Sequence, residues 1–220
     1  MIEVENLSKS FGRTKVLENA SLRANPGETT ILTGDNGTGK TTLLRILAGL
    51  ARASGGSATI AGVDVTRNRQ RAQENLSFLP QGLAFHPTMT PERLLVFYAR
   101  LRKKRVTSSQ LDDLLRRFHL YEHRTKQVRH LSGGMLQRVG LALLLLPDAP
   151  VLLLDEPAIS LDPGWRRKLS EILQDEAKRG KTVFLTTHLP KEWEGEANQH
   201  LVCRDRQIFE VAASESLLSS

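Results

Sequence analysis

Apolar and polar positions follow one pattern near the amino terminus and another in the rest of the chain. The apolar positions at the start are Val4, Val16, Leu17 and Leu22. Gly12, and Pro26 with Gly27, separate them into short segments, which is typical of antiparallel strands joined by turns. We therefore expect a small antiparallel β subdomain at this end.

Strands and helices alternate through most of the remainder. The predicted elements are a strand at residues 29–33, a helix at 40–50, a helix at 134–146, a strand at 151–154, a helix from an Asp162 cap to near Gly180, a strand at 183–187, and short strands near Leu201 and Ile208. This order favours an α/β fold, with a mainly parallel sheet covered on both faces.

The region between these two sets of elements is predicted to be helical. Thr90 can cap a helix with Pro91 at its first position, and apolar residues then recur at helical spacing. Residues 82–130 therefore look all-helical. We expect one domain over residues 1–220, with a helical subdomain inserted at about residues 82–146.

Composition restricts the class of protein and the cellular compartment that we expect for this domain. Apolar residues make up 40% and charged residues 25%, as in ordinary globular proteins. Cys203 is the single cysteine, which excludes an internal disulfide. The start of the chain lacks a secretory signal pattern, and the longest apolar run, residues 141–146, is far shorter than the roughly 20 residues of a membrane span. We expect a cytoplasmic protein.

The net charge of +7 comes partly from three basic clusters, each on a predicted helix, at residues 102–105, 116–117 and 166–168. Solvated helix faces are the first interpretation of these clusters. Anionic lipid head groups beside a membrane partner come second. Nucleic acid comes third and is not expected as a partner, because no stacking motif uses the seven phenylalanines and two tyrosines.

A glycine loop lies between the strand at residues 29–33 and the next helix. Residues 34–41 read GDNGTGKT and match the G-x-x-x-x-G-K-[ST] phosphate-binding pattern in full. Glycines let backbone N–H groups approach phosphate oxygens, and the helix start adds partial positive charge. The predicted nucleotide-binding residues here are Gly34, Asn36, Gly37, Gly39, Lys40, Thr41 and Thr42. Lys40 should reach the β- and γ-phosphates, and Thr41 should bind Mg²⁺.

Two carboxylates, Asp155 and Glu156, follow an apolar strand. The carboxyl edge of a parallel sheet is where ligands bind in such folds. Asp155 is expected to support Mg²⁺, usually through a water. Glu156 should point elsewhere, free to polarise the attacking water.

A third motif opens the helix at residues 134–146, where residues 131–138 read LSGGMLQR. Ser132, Gly133 and Gly134 would make a second anion site at a helix amino terminus. A plain serine cap is the simpler interpretation. A second copy of the chain would explain why one nucleotide loop needs two anion sites.

Taken together, these motifs resemble those of ATP-binding-cassette (ABC) ATPase subunits, in the family's order and over essentially the whole chain. The resemblance implies a P-loop NTPase core and a dimer in which the Ser132 motif of one cassette closes head to tail on ATP held by the other. It also implies roles for four further positions: Gln81 as a catalytic and Mg²⁺-sensing glutamine, residues 160–162 with Asp162 as an interface loop, His188 as a γ-phosphate contact, and Phe11 as an adenine-stacking ring. A core position remains the alternative for Phe11.

The resemblance also implies a biological setting. The chain would hydrolyse ATP with Lys40, Gln81, Glu156 and His188, on the inner face of the cell membrane and bound to a separate transmembrane subunit. Met135 in the signature resembles export-type or maturation-type cassettes, such as those for haem export or copper-site maturation. A soluble ATPase without a membrane partner, as in iron–sulfur assembly, remains the alternative. His119, Glu122 and His123 fit H-x-x-E-H, a weak metalloprotease pattern that we interpret as structural.

Overall fold

Ten strands and six α-helices are present in the computed structural model, which describes residues 1–193 and 195–211. The strands are β1 (Ile2–Phe11), β2 (Thr14–Ala24), β3 (Thr29–Thr33), β4 (Gly55–Ile60), β5 (Val63–Asp64), β6 (Leu76–Leu79), β7 (Val151–Asp155), β8 (Thr182–Thr186), β9 (Gln199–Arg204) and β10 (Gln207–Val211). The helices are α1 (Lys40–Leu47), α2 (Arg69–Glu74), α3 (Pro91–Leu101), α4 (Ser108–Arg117), α5 (Gly133–Leu145) and α6 (Pro163–Lys178). Short 3₁₀ helices lie at Tyr121–His123, Val128–His130 and Pro190–Trp193.

The strands form two sheets, as the apolar pattern predicts. The order β2-β1-β4-β5 makes an antiparallel sheet, which confirms the expected amino-terminal β subdomain. The order β10-β9-β3-β8-β7-β6 makes the main sheet, which is parallel except for β10. The carboxyl ends of β3, β8 and β7 therefore lie side by side, because neighbouring parallel strands end at the same edge.

Alternate residues of β7 belong to different cores. Leu152 and Leu154 pack with helices α3 to α6 in one cluster, whereas Val151 and Leu153 pack with α1 and the antiparallel sheet in the other. Since successive side chains of a strand point to opposite faces, the main sheet is buried on both sides. The prediction of a doubly covered sheet is confirmed.

The helical region is less helical than the sequence pattern suggests. Residues 82–90 and 102–107 are turns or irregular, so residues 82–130 are not all-helical. Residues 102–105, expected on a helix, follow the end of α3 instead. The caps are as predicted: Thr90 Oγ1 accepts from Arg93 N at 3.3 Å and Asp162 Oδ1 from Trp165 N at 2.9 Å. In residues 1–193 and 195–211, no helix has the length and apolar character needed to cross a bilayer.

The basic clusters are also not simply solvated helix faces. Arg102 donates to the carbonyl oxygens of Gln73 and Leu76, at 3.2 and 2.7 Å. Lys104 Nζ donates to Pro147 O at 2.7 Å, and Arg117 pairs with the buried Glu176 at 3.0 Å. Arg102 thus ties the end of α3 to α2 and β6, Lys104 contacts the turn after α5, and Arg117 contacts α6. The first interpretation of the clusters is therefore wrong for these three side chains.

Candidate nucleotide-binding site

The glycine loop connects β3 to α1 in a conformation that requires glycine. Gly39 has φ 111°, and a Cβ there would lie 2.9 Å from Leu17 Cδ2. The loop curls around the Lys40 ammonium group, which donates to the carbonyl oxygens of Gly34 at 2.5 Å and Asp35 at 2.9 Å. Phosphate oxygens bound by this loop would compete for the same ammonium group.

Asp155, at the end of β7, is buried beside the start of α1. Its Oδ1 accepts hydrogen bonds from Thr186 Oγ1 at 2.7 Å and Thr41 Oγ1 at 3.2 Å. A hydroxyl and a carboxylate thus stand side by side at the edge of the glycine loop. Mg²⁺ prefers oxygen ligands of this kind, with phosphate and water oxygens completing its shell. The residues present fit the ion that the sequence predicts.

Glu156 turns away from Asp155, as expected, and contacts His188. Its φ of 51° directs the side chain to the next loop, where Oε2 lies 2.7 Å from His188 Nδ1 and 3.3 Å from His188 N. Glu156 N in turn donates to Thr186 Oγ1 at 3.2 Å. This contact forms because the loop after β8 folds directly over the end of β7, and the role of Glu156 in polarising water remains a prediction.

These side chains face a common cavity of about 620 Å³. Its lining is Val16, Asn36, Gly37, Gly39, Lys40, Thr41, Thr42, Gln81, Glu156, Ile159 and His188. Nine residues predicted from the sequence as separate motifs therefore meet at one place, and Gly34 and Asp155 adjoin it through their bonds to Lys40 and Thr41. The cavity is large enough for a small-molecule ligand.

Ser132, Gly133, Gly134 and Asp162 are not among the described residues that line this cavity. Ser132 caps α5, its Oγ accepting from Met135 N at 3.2 Å. Gly133 lies against the side chain of Ser160, and Gly134 lies against its backbone carbonyl group. The signature motif and residues 160–162 thus form a second, separate surface.

Phe11 ends β1 with 57% of its surface exposed, so the alternative that it packs in the core is wrong. Lys9 Nζ lies 4.6 Å from the ring centroid. Phe11 does not line the cavity in the described part of the chain, whereas Val16 does. An adenine-stacking role for Phe11 remains a prediction.

His119 of the H-x-x-E-H pattern is engaged in packing, whereas Glu122 is exposed. His119 Nε2 is 2.7 Å from Lys168 Nζ, and its ring meets Trp165 edge-on with centroids 5.0 Å apart. Burial, followed by the charges of Lys168 and Arg138, lowers the pKa of His119. In these surroundings the His119 ring is neutral and accepts a hydrogen bond from the Lys168 ammonium group.

Sequence patterns missed three residues that hold the site together. Thr186 joins Asp155 to Glu156, and Gln137 Nε2 donates to Pro157 O at 2.8 Å, fixing the turn after the carboxylates. Cys203 lies under the glycine loop, where its Sγ donates to Thr38 O at 3.1 Å, and burial raises its pKa. Thr186, directly before Thr187 and His188, and Gln137, within residues 131–138, each had a motif that could have drawn attention to it.

Comparison with known proteins agrees with this geometry. The family model described as "ABC transporter" matches residues 17–159. The arginine transport ATP-binding protein ArtM of Bacillus subtilis (strain 168) is 34% identical over 194 residues, covering 86% of this chain and 81% of ArtM. A Nod factor export ATP-binding protein I of Paraburkholderia xenovorans (strain LB400) is 33% identical over 221 residues, covering 100% of this chain and 73% of that protein.

Solved structures show the same fold. One described as the ATP-binding subunit of an ABC transporter superposes with a TM-score of 0.88 at 24% identity, covering 96% of this chain and 90% of that one. The dimeric cassette MJ0796 gives 0.86 at 22% identity, covering 97% and 99%. With the glycine loop, the carboxylate pair and the separate LSGG surface, the chain belongs to the ABC transporter family and is an ATPase domain of that family.

Proposed function

We propose that two copies of this chain hydrolyse ATP together and drive transport through a separate transmembrane subunit. The observation that carries the proposal is the division of the predicted motifs between two surfaces. Lys40, Asp155, Glu156 and His188 gather at the cavity, whereas the Ser132 motif lies outside it. An anion site at the start of α5 that its own chain does not use supports a head-to-tail partner.

The chemistry assigned to the cavity is attack of water on the γ-phosphorus. Glu156 accepts a proton from the water as its oxygen bonds to phosphorus. The bond from phosphorus to the β–γ bridging oxygen breaks, and the electron pair leaves with ADP. Lys40 offsets negative charge on the phosphates, and His188 holds Glu156 by the 2.7 Å contact. Positioning and charge neutralisation carry most of the catalysis in phosphoryl transfer.

Thr41 and Asp155 would bind Mg²⁺ together with ATP, and Gln81 lines the same cavity. The bound ion would supply charge neutralisation and orient the phosphates. The protein's own contribution is the fixed spacing of the two oxygen ligands, since Thr186 donates a second hydrogen bond to Asp155 Oδ1.

A groove beside Gln81 suits the transmembrane subunit. It has a volume of about 240 Å³. Its lining consists of residues 78–80 and 82–85, which flank Gln81, together with Tyr98 of α3 and three residues of α5. Movement of Gln81 on ATP binding would reach a partner seated there. The helical insertion at about residues 82–146 would then be the coupling element, and the chain would lie on the inner face of the cell membrane.

The direction of transport is less defined than the chemistry. Relatives named for Nod factor export support an export system, while ArtM is named for arginine transport. None of the relatives reported above is named for haem export or copper-site maturation. The soluble iron–sulfur alternative is not favoured, because the relatives are transporter ATP-binding proteins.

Glu156→Gln tests the assignment of the base. The amide cannot accept the proton from water, so phosphate release should fall by roughly 10²–10⁴-fold. ATP binding by calorimetry should persist, and size-exclusion chromatography with ATP should show a trapped dimer. Lys40→Ala is the comparison, because it should lose ATP affinity and therefore form no such dimer. Parent-level hydrolysis by Glu156→Gln would refute the base assignment.

A further inference from the structure

Trp165, in the first turn of α6, lies at the centre of a cluster of cationic side chains. The Arg138 guanidinium is 4.7 Å and the Lys168 ammonium 5.0 Å from the indole centroid. The His119 ring meets the indole edge-on at 5.0 Å. Cations within about 6 Å of an aromatic face are attracted by its quadrupole. The cluster therefore ties together α5, α6 and the turn after α4.

The cluster reaches both partner-facing segments through short links. Arg138 Nε donates to Gly134 O at 3.4 Å, and Arg138 Nη1 donates to Phe118 O at 3.3 Å. On the other side, Trp165 N donates to Asp162 Oδ1 at 2.9 Å. Arg138, on the indole ring, thus contacts the signature motif, and the backbone of Trp165 contacts the loop at residues 160–162.

The two segments also touch directly. A Cβ at Gly134 would lie 2.9 Å from Ser160 O, so only glycine permits this approach. Ser160 has φ 65°, an unfavourable conformation for serine that needs support from its surroundings. The stacked Trp165 and the cap at Asp162 provide support immediately after this turn.

We propose that Trp165 is a positioning residue that holds the signature motif and residues 160–162 as one unit, presented to ATP bound by the second copy. The inference rests on the proposed shared site. Trp165 does not line the cavity of its own chain among the described residues, so its effect falls on the partner's ATP. Replacing it should lower turnover without weakening ATP binding to its own glycine loop.

The first experiment measures steady-state ATPase activity and ATP affinity of Trp165→Ala and Trp165→Phe. A displacement of about 1 Å can cost up to ~10²-fold in rate, so Trp165→Ala should lose roughly tenfold or more in kcat. Trp165→Phe keeps an aromatic face and should recover most of it. ATP binding by calorimetry should change less than about twofold in both variants, since ΔG changes little where no contact is lost.

Phe209→Ala is the matched control. Arg204 lies 5.0 Å from the Phe209 ring, so this change also removes an arginine–aromatic contact, but far along the chain from α5 and α6. It should keep parent kcat. Equal losses in Phe209→Ala and Trp165→Ala, or parent kcat in Trp165→Ala, would overturn the inference.

The second experiment mixes Trp165→Ala with excess Lys40→Ala. The Lys40→Ala chain cannot bind ATP but has an intact signature unit, so it should restore turnover at the loop of the Trp165→Ala chain. Gly133→Asp serves as the reference for a signature defect, because a Cβ there lies an ordinary 3.6 Å from Ser160 Cβ. Recovery of both mixtures supports the inference.

Recovery of Gly133→Asp without recovery of Trp165→Ala would mean that Trp165 acts within its own ATP site or on folding, and the positioning role is then wrong. Failure of both mixtures would refute the shared site itself, and the inference would fall with it. The two failures are therefore distinguishable.

Discussion

Asp155 and Glu156 are adjacent in sequence but are held by different partners. Asp155 Oδ1 accepts from Thr41 and Thr186, while Glu156 pairs with His188. The positive φ of Glu156 separates the two side chains. Thr186 links them, because its hydroxyl donates to Asp155 and accepts from Glu156 N. A single hydroxyl thus orients both the predicted Mg²⁺ ligand and the predicted base.

Thr186→Val should therefore impair catalysis without unfolding the chain. Valine keeps the shape of threonine but removes the hydroxyl that donates to Asp155 Oδ1, so that of these two hydrogen bonds the one from Thr41 remains. Loss of a residue that orients a metal ligand typically costs about 10–100-fold in metal affinity or activity. ATPase rates measured across a Mg²⁺ titration should show this shift. Thr30→Val, a buried threonine on β3, is the control, and an unchanged Mg²⁺ dependence of Thr186→Val would contradict the prediction.

Helices α4 and α6 are joined by charges that the sequence pattern assigned to solvent. Glu176 of α6 is 1% exposed and contacts Arg117 at 3.0 Å, Arg179 at 3.1 Å and Lys181 at 2.6 Å. Lys181 also pairs with Asp148 at 2.7 Å. A buried carboxylate needs the cations around it, because removing one partner of a buried ion pair leaves the charge of the other without compensation.

Glu176→Gln should lower the free energy of unfolding by up to roughly 3–5 kcal/mol, because it removes the buried carboxylate charge that faces the buried Lys181 and the partly buried Arg117. Urea denaturation followed by circular dichroism measures this change. Glu171→Gln on the exposed side of the same helix should stay within about 0.5 kcal/mol of the parent. Equal stability of the two variants would show that the network is unimportant.

The network also predicts a pH dependence. Burial by itself raises the pKa of Glu176. The hydrogen bond from Lys181 and the charges of Lys181 and Arg117 lower it by more than burial raises it, so the pKa of Glu176 lies below its ordinary 4.5. A carboxyl group whose pKa is lower in the folded than in the unfolded chain stabilises the fold at pH values above its unfolded-state pKa. This stabilisation is lost as the pH falls through its folded-state pKa. The stability difference between the parent and Glu176→Gln should be constant above pH 4.5 and shrink below it. A difference that persists unchanged well into acid would contradict the assignment.

The molecule as a whole leaves an apolar face beside the Gln81 groove. Phe97 is 59% and Leu101 64% exposed on α3, one turn apart and next to Tyr98, which lines the groove. Exposed apolar side chains that cluster beside a cavity are typical of interaction sites. The proposed transmembrane subunit would cover this face.

Replacing Phe97 and Leu101 together with glutamate should separate binding from catalysis. The isolated variant should hydrolyse ATP at a rate within about twofold of the parent, because neither residue lines the nucleotide cavity. Docking of the transmembrane subunit would bury the two introduced carboxylates, so it should be prevented. Co-purification of a transmembrane protein from native membranes measures the docking. Phe209→Glu, an exposed aromatic on β10, should still co-purify, and retention of the partner by the double variant would assign it to another face.

The sequence by itself determined the features that depend on neighbours along the chain. The glycine loop, the carboxylate pair and the caps at Thr90 and Asp162 arise from contacts within a few residues. Tertiary structure decided the rest. The Glu156–His188 pair spans 32 residues and the Thr186–Asp155 bond 31, and both exist because β7 and β8 are parallel neighbours with their carboxyl ends together. The same folding carries the LSGG motif away from its own cavity, since α5 packs on the opposite core from α1.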